Sequence, residues 1–294
     1  MAIQSTNTVK NYLSLIKFSH TIFALPFAII GYFLAITFTE KTFDLKLFGL
    51  VILCMVFARS AAMAFNRFID REIDEQNERT VIREIPAGIV NAKSALVFVI
   101  INCILFIATT YFINSLCFYL SPIALTVVLG YSLTKRFTAL CHLILGIGLA
   151  LAPIGAYLAV TGEFSWLPLF FSFAVLFWVS GFDIIYALQD EEFDRSKKLK
   201  SIPVLFGKKG ALLFSTVLHI FSALFIIYAG IHANFNAWYW IGTTIFTGLL
   251  IYQHTLIKPS DLSKVNLAFF TTNGIASIVF AIFVLIDLYI GSVC

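Results

Sequence analysis

Three oxygen-bearing side chains recur at a constant interval early in the sequence. Asn66, Asp70 and Asp74 are each four residues apart, so on a helix they lie on one face with a rise of about 6 Å between neighbours. Carboxylate and amide oxygens at this spacing suit Mg²⁺, which proteins hold through a few carboxylates together with water and substrate phosphate oxygens. This first motif therefore predicts a site for a hard divalent cation.

A second acidic motif follows later in the chain and repeats the pattern. Asp183, Tyr186, Asp190 and Asp194 are separated by three, four and four residues, so they also share a helical face. Two such rows can face each other across a cavity, where bridging metal ions would let them clamp one diphosphate group. The pair of motifs therefore indicates a diphosphate-binding site.

Two observations separate these motifs from ordinary solvated helix ends. Asp183 lies about two turns inside an apolar run, and an ionisable side chain within a membrane segment marks a functional site by default. Basic residues also alternate with the acidic ones. Basic side chains would bind the phosphate oxygens, while the carboxylates bind the metal. These bases are Arg67, Arg71, Arg79, Arg83, Arg195, Lys197 and Lys198.

The composition indicates which elements carry the motifs. Of the 294 residues, 60% are hydrophobic and 12% are charged, whereas soluble domains carry about 25% charged residues. Nine apolar runs have the length of about 20 residues that a membrane-spanning helix needs, which predicts an all-α polytopic membrane protein. The runs are Phe18–Phe38, Phe48–Phe68, Ala95–Ile113, Leu116–Leu133, Ala139–Val160, Leu167–Leu188, Ala211–Ile231, Ala237–Ile257 and Val265–Ile290.

The basic residues predict the orientation of these helices. Most Lys and Arg residues stand at the N-terminus or after even-numbered runs, which places those segments in the cytoplasm. Both motifs begin where an even-numbered helix emerges, so we expect one domain, 1–294, of two related four-helix units plus a ninth helix around a central cavity. The net charge of +4 is confined to loops and indicates membrane orientation, so no nucleic acid partner is expected.

The two motifs resemble the hallmarks of the UbiA superfamily of intramembrane prenyltransferases. Its NxxxDxxxD pattern matches Asn66, Asp70 and Asp74, and its DxxYxxxDxxxD pattern matches the second motif. The resemblance implies transfer of a polyprenyl group from its diphosphate to an acceptor, with Mg²⁺ as cofactor. It also implies an enzyme of the cytoplasmic (inner) membrane that needs no obligatory protein partner.

The resemblance further implies roles for individual residues. The predicted catalytic residues are Asp183, Tyr186 and Asp190; the Tyr186 ring would stabilise an allylic cation, and Asp183 would orient the acceptor or join the metal shell. The predicted metal ligands are Asn66, Asp70, Asp74, Asp190 and Asp194. The predicted diphosphate-binding residues are Arg67, Arg71, Lys135 and Arg136, and Arg79 and Arg83 are expected to close over the substrate.

The acceptor is indicated by shorter stretches of sequence. Residues 16–27 and 181–190 are similar to the 4-hydroxybenzoate polyprenyltransferase branch of the superfamily. Residues 59–67 and 85–88 are similar to a subgroup that includes the prenyltransferase of the futalosine route to menaquinone. We therefore expect an aromatic acid used in ubiquinone or menaquinone synthesis.

An aromatic acid needs a basic partner for its carboxylate. Arg59 is predicted to supply it, because it stands seven residues before Asn66 and so on the same helical face. Lys17 and His20, at the mouth of the first helix, are the alternatives. His142, His219, His232 and His254 form no ligand-like cluster and receive no predicted role.

Two alternative functions stay open at this point. Another member of the superfamily would use a different acceptor, which could be a naphthoate derivative, a glycerol phosphate lipid or haem. A divalent cation transporter also needs acidic rows at helix ends, but it needs charge along a path across the bilayer. The only acidic residues on the opposite side are Glu40, Asp44, Glu163 and Asp287, so such a path is poorly supported.

Overall fold

The computed structural model describes residues 8–290, apart from the side chains of residues 8 and 18–20. Within this part of the chain all regular secondary structure is helical, except for one isolated bridge between Lys258 and Asp261. The α-helices are α1 (Thr8–Leu15), α2 (Leu25–Thr39), α3 (Leu45–Ile69), α4 (Arg71–Asp74), α5 (Ala92–Tyr111), α6 (Ser115–Thr134), α7 (Cys141–Thr161), α8 (Trp166–Ala187), α9 (Glu191–Ser196), α10 (Ile202–His232), α11 (Ala237–Leu256) and α12 (Asn273–Ile290).

Eight helical segments of the described chain are long and apolar enough to cross a membrane. The prediction of an all-α, multi-pass membrane protein is thereby confirmed. At the eighth predicted position lies α11, a helix of 20 residues. Its apolar character is diluted by Trp238, Tyr252, Gln253 and His254, so it falls outside that group of eight.

Helix ends in this chain are set by side chains that satisfy free backbone groups. Asp44, Asn91, Asn114 and Ser201 each accept a hydrogen bond from a backbone N–H in the first turn of the helix that follows, as good N-cap residues do. Gly162 ends α7 with a φ of 71°, a left-handed conformation that glycine adopts without steric cost. The caps explain why the helices begin and end close to the boundaries of the apolar runs.

Close helix packing holds α7 between α2 and α8. Gly31 of α2 lies directly against the backbone of Pro153, and Gly146 of α7 lies against the backbone of Leu176 in α8. Either glycine has no room for a side chain. Small residues at helix contacts let membrane helices approach closely, which strengthens van der Waals packing.

Aromatic side chains and one buried hydrogen bond join the second half of the bundle. Trp178 is fully buried in α8 and its Nε1 donates to Oδ1 of Asn273 at 2.8 Å. Asn273 begins α12 directly after a π-helical segment, Leu267–Thr272. That segment places Phe269 against the ring of Tyr186, with ring centroids 4.2 Å apart.

Both acidic motifs lie where a membrane helix is interrupted. The first spans the step from α3 to α4, and the second runs from α8 through a 3₁₀ turn, Leu188–Asp190, into α9. The expected single helical faces are therefore broken at Asp70 and at Asp190. In the first motif the spacing survives, because the N–H of Asp70 bonds the carbonyl of Asn66 at 3.1 Å and that of Asp74 bonds the carbonyl of Asp70 at 2.8 Å. Helix ends commonly tighten in this way where the chain turns into a loop.

Candidate active site

The first motif meets the bases at the end of α6. Nδ2 of Asn66 donates to Oδ2 of Asp70 at 3.3 Å and to Oγ of Ser132 at 3.4 Å. The nitrogens of Lys135 and Arg136 each lie 3.2 Å from a carboxylate oxygen of Asp70, which is only 2% exposed. Two of the four predicted diphosphate-binding bases, Lys135 and Arg136, therefore contact Asp70, a predicted metal ligand.

Asp74 has one satisfied and one unsatisfied carboxylate oxygen. Its Oδ1 accepts a hydrogen bond from Nη1 of Arg83 at 2.6 Å. Its Oδ2 is buried and has no hydrogen-bond partner in the part of the chain that the structure describes. A buried acceptor left unpaired is costly, and a cation bound to this oxygen would remove that cost.

The donor set of the two motifs fits Mg²⁺. Among the described residues, no three acidic, histidine or cysteine side chains approach closely enough to form a metal site by themselves. Mg²⁺ rarely uses such a cage, since it keeps several waters and binds through one or two carboxylates plus substrate phosphates. The free oxygen of Asp74 and the nearby carboxylate of Asp70 could provide the protein part of that shell.

Arg79, in the loop after α4, connects the first motif to the second. Its Nε donates to Oδ1 of Asp190 at 2.9 Å, its Nη2 bonds Oδ2 of the same carboxylate, and its Nη1 donates to the Tyr186 hydroxyl at 2.8 Å. Asn77, from the same loop, donates to Oδ1 of Asp190 at 3.2 Å. Burial lowers the pKa of Arg79, but the hydrogen bonds and charge of Asp190 raise it overall, so the guanidinium stays charged. The backbone N–H of Asn77 bonds the carbonyl of Asp74 at 3.3 Å, so this loop contacts both motifs.

The remaining acids of the second motif lie on either side of this cross-link. Oδ2 of Asp183, in α8, lies 2.7 Å from Nδ1 of His142 in α7. Asp194 is 8% exposed and its carboxylate interacts with the charges of Lys135 and Asp190. Lys135 thus faces acids of both motifs.

The other two predicted diphosphate-binding bases have different surroundings. Arg67 is 6% exposed, and its Nε has no hydrogen-bond partner among the described residues. Arg71 donates to the carbonyl of Phe68 at 2.9 Å and to the carboxylate of Glu72 at 2.9 Å. Since Glu72 is largely exposed, Arg71 is engaged at the surface of the protein.

An apolar cavity of about 350 Å³ lies between α3, α5, α6 and α7. Arg59 and Tyr131 line the end of the cavity that is nearest to the motifs, and Tyr131 interacts with the charges of Arg59, Asp183 and Arg67. Nε of Arg59 is buried without a hydrogen-bond partner, and the guanidinium pairs with no carboxylate in the described part of the chain. Arg59 is thus an unpaired cation facing an apolar space.

Of the two alternative partners for an acceptor carboxylate, Lys17 is already engaged. Nζ of Lys17 lies 3.8 Å from Oε1 of Glu84, which also accepts a hydrogen bond from Oγ of Ser14 at 2.5 Å. Lys17 is therefore held by the first loop. The side chain of His20 lies outside the described residues.

Three residues of the site carried no predicted role. Asn77 and Tyr131 stand next to motifs that the sequence does reveal, so proximity in the chain was an available signal. His142 stands at the start of an apolar run, and nothing in its spacing relates it to Asp183. Only the packing of α7 against α8 brings these two side chains together.

The chain is similar to known proteins over most of its length. Residues 24–275 match the family model described as the UbiA prenyltransferase family. A 4-hydroxybenzoate octaprenyltransferase of Vesicomyosocius okutanii is 31% identical over 81% of this chain and 86% of its own length. The apo structure of a UbiA homolog from Aeropyrum pernix is 32% identical, with a TM-score of 0.82 over 91% of this chain and 98% of that one. A UbiA homolog from Archaeoglobus fulgidus bound to DMAPP and Mg²⁺ shares the fold, with a TM-score of 0.71 at 21% identity, over 95% of this chain and 99% of that one.

Proposed function

This chain belongs to the UbiA prenyltransferase family, and from that premise we infer that it transfers a polyprenyl group from polyprenyl diphosphate to an aromatic acid of the 4-hydroxybenzoate type. Relatives named 4-hydroxybenzoate octaprenyltransferase, similar over most of both chains, support this function. The observation that carries it is the loop after α4, because Asn77 bonds both the backbone of Asp74 and the carboxylate of Asp190, and Arg79 bonds Asp190 and Tyr186.

The diphosphate would bind between the two motifs. Mg²⁺, held by Asn66, Asp70, Asp74, Asp190 and Asp194, would supply Lewis-acid neutralisation of the diphosphate. Lys135 and Arg136, which lie on Asp70, are placed to bind phosphate oxygens, and Arg67 would add a third base from within the bundle. Arg79 and Arg83 would cover the group from the loop.

The prenyl transfer breaks a carbon–oxygen bond and a ring carbon–hydrogen bond and makes one carbon–carbon bond. The bond between the allylic carbon and the diphosphate oxygen breaks, and its electron pair leaves with the diphosphate. The ring of the acceptor then attacks the allylic cation, a carbon–carbon bond forms, and the ring loses a proton to regain aromaticity. Tyr186 would face the cation, because the quadrupole of an aromatic ring attracts positive charge; the guanidinium of Arg79, 5.1 Å from the ring centroid, would have to give way to it.

The acceptor would bind with its carboxylate on Arg59. A buried guanidinium without a partner in the described chain is suited to a planar carboxylate, which it can bind in a bidentate manner. The apolar lining of the cavity would keep water away from the cation until the ring reacts. Asp183, whose charge Tyr131 also senses, would contact the opposite end of the ring.

We further propose a topology for the enzyme in the membrane. The chain would cross the cytoplasmic (inner) membrane nine times, as two related four-helix units plus a ninth helix, with the N-terminus and both motifs in the cytoplasm. The distribution of Lys and Arg supports this orientation. The enzyme would act without an obligatory protein partner. It would serve ubiquinone synthesis or, with another aromatic acceptor, menaquinone synthesis.

Direct assay of the purified protein tests the function. Proteoliposomes would receive a polyprenyl diphosphate, Mg²⁺ and a panel of aromatic acids that includes 4-hydroxybenzoate and a naphthoate, and products would be identified by mass spectrometry. We expect a prenylated 4-hydroxybenzoate that disappears with EDTA and returns with Mg²⁺. Turnover in metal-free buffer would refute the metal role, and product with the naphthoate alone would reassign the acceptor.

A further inference from the structure

His142 is a buried histidine whose position the proposed function does not explain. It is the second residue of α7 and is 4% exposed. Its Nδ1 lies 2.7 Å from Oδ2 of Asp183, across the contact between α7 and α8. An ionised carboxylate can only accept a hydrogen bond, so the N–H at Nδ1 of His142 donates this hydrogen bond to Asp183.

The geometry leaves Asp183 with one committed oxygen and some exposure. The carboxylate side chain of Asp183 is 24% exposed, whereas the imidazole of His142 is 5% exposed. His142 therefore closes the protein side of the carboxylate, and the other side remains accessible. A side chain held by a short hydrogen bond from a buried ring loses rotational freedom, which is how neighbouring groups orient catalytic carboxylates and histidines.

Asp183 is linked to the proposed acceptor pocket through Tyr131. Tyr131 lines the cavity together with Arg59 and interacts with the charges of both Arg59 and Asp183. A 4-hydroxybenzoate-type ring carries its carboxylate and its hydroxyl at opposite ends. With the carboxylate on Arg59, the hydroxyl needs a hydrogen-bond acceptor across the pocket from it.

We propose that His142 is a positioning residue, which fixes the carboxylate of Asp183 so that it accepts the hydrogen bond of the acceptor's ring hydroxyl. The inference rests on the proposed function. It names a residue outside both motifs, and it explains why a histidine is buried at the start of α7. His142 touches neither substrate, and its effect passes through Asp183.

The test compares variants of the purified enzyme. His142→Leu removes the hydrogen bond, and we expect kcat/KM for the aromatic acid to fall about ten- to a hundredfold, as happens when a partner that orients an active-site ligand is lost. Binding of the prenyl diphosphate and the melting temperature should change little. His142→Asn keeps an N–H donor near the position of Nδ1 and should recover most of the activity.

His254→Leu is the matched control. His254 is also a largely buried histidine in a hydrogen-bonded pair, with its Nε2 2.8 Å from Nδ1 of His219, but it lies on α11 and has no hydrogen bond to either motif in the described part of the chain. We expect this variant to keep the kcat/KM of the parent enzyme. An equal loss in His254→Leu and His142→Leu would show that any buried histidine matters for packing and would overturn the proposal.

A double variant shows whether His142 acts through Asp183. In an Asp183→Asn background, His142→Leu should cause no further loss, because the group that it positions is already gone. Additive losses, or an active parent enzyme with unchanged kcat/KM in His142→Leu, would overturn the positioning role alone. A parent enzyme that transfers no prenyl group to any aromatic acid would overturn the proposed function, and the role of His142 with it.

Discussion

Three acids of the candidate site are paired with bases from other segments of the chain. Asp70 contacts Lys135 and Arg136, Asp74 contacts Arg83, and Asp190 contacts Arg79. The pairing keeps a dense cluster of charge compensated at the end of the membrane helices. It also means that a diphosphate entering the site finds bases already assembled, which need only exchange a carboxylate for a phosphate oxygen.

We expect the two motifs to act as one unit on a shared diphosphate. Asp70→Ala and Asp190→Ala should each lower kcat about a hundredfold or more, because several kcal/mol of charge stabilisation in the transition state are lost. The double variant should lose little beyond either single one. Steady-state kinetics would check this, and independent losses that multiply would place the motifs in separate sites.

Two exposed acids within the motifs are suitable controls for this experiment. Glu72 lies between Asp70 and Asp74, and Glu192 lies between Asp190 and Asp194. Their side chains are 75% and 93% exposed. Glu72→Ala and Glu192→Ala should keep near-parental kcat. That result would show that activity depends on acids at the motif positions and not on negative charge in general.

Arg59→Leu tests the acceptor subsite. Losing one partner of a buried charge pair costs about 3 kcal/mol or more, so KM for the aromatic acid should rise about a hundredfold. The affinity for prenyl diphosphate should remain, since that ligand is held by other bases. Arg195→Leu is the control, because Arg195 pairs with Glu191 and its side chain is 60% exposed. An Arg59→Leu enzyme with parental acceptor KM would reject the assignment.

Residue types and spacing predict which side chains gather at the site, but they do not predict which acid contacts which basic side chain. Both motifs, Lys135 and Arg136 could be found from charge and position in the sequence. The partner of Asp190 is Arg79 because the loop after α4 folds back over α8, and loop paths are not encoded in helical periodicity. The bond between His142 and Asp183 depends on the rotation of α7 against α8, which the evenly apolar sequence of α7 does not reveal.

At the scale of elements, hydrophobic length predicts the helices well and their ends less well. The second apolar run, Phe48–Phe68, corresponds to α3, Leu45–Ile69. By contrast, α10 begins at Ile202, nine residues before the predicted Ala211, because Ser201 caps it outside the apolar run. The last run divides into a π-helical segment and α12, a change of backbone hydrogen bonding that composition does not register.

Gly31→Ala should destabilise the contact between α2 and α7. A methyl group at this position would overlap the backbone of Pro153, and overpacking of this kind costs about 1 to 3 kcal/mol. We expect a melting temperature several degrees lower for the detergent-purified protein. Gly248→Ala is the matched control, since a methyl group there meets no atom within 4 Å. Equal melting temperatures for the two variants would contradict the close approach of these helices.

The orientation of the whole molecule can be tested by labelling cysteines introduced into a cysteine-free background. Glu163, just before α8, and Ser196, at the end of α9, are both exposed and lie on opposite sides of the membrane span that α8 forms. With both motifs in the cytoplasm, a membrane-impermeant maleimide should label Glu163→Cys in intact spheroplasts and Ser196→Cys only after lysis. The opposite result would invert the proposed topology.

The unpaired Arg59 has a thermodynamic consequence for the whole molecule. A buried cation without a counter-ion lowers the stability of the unliganded fold, and a ligand that binds only the native state raises stability by mass action, by about 2.7 kcal/mol at a hundred times its Kd. The enzyme should therefore melt at a higher temperature in the presence of the acid that it accepts, before any turnover occurs. A series of aromatic acids could be ranked by this shift without prenyl diphosphate, and Arg59→Leu protein should be insensitive to all of them.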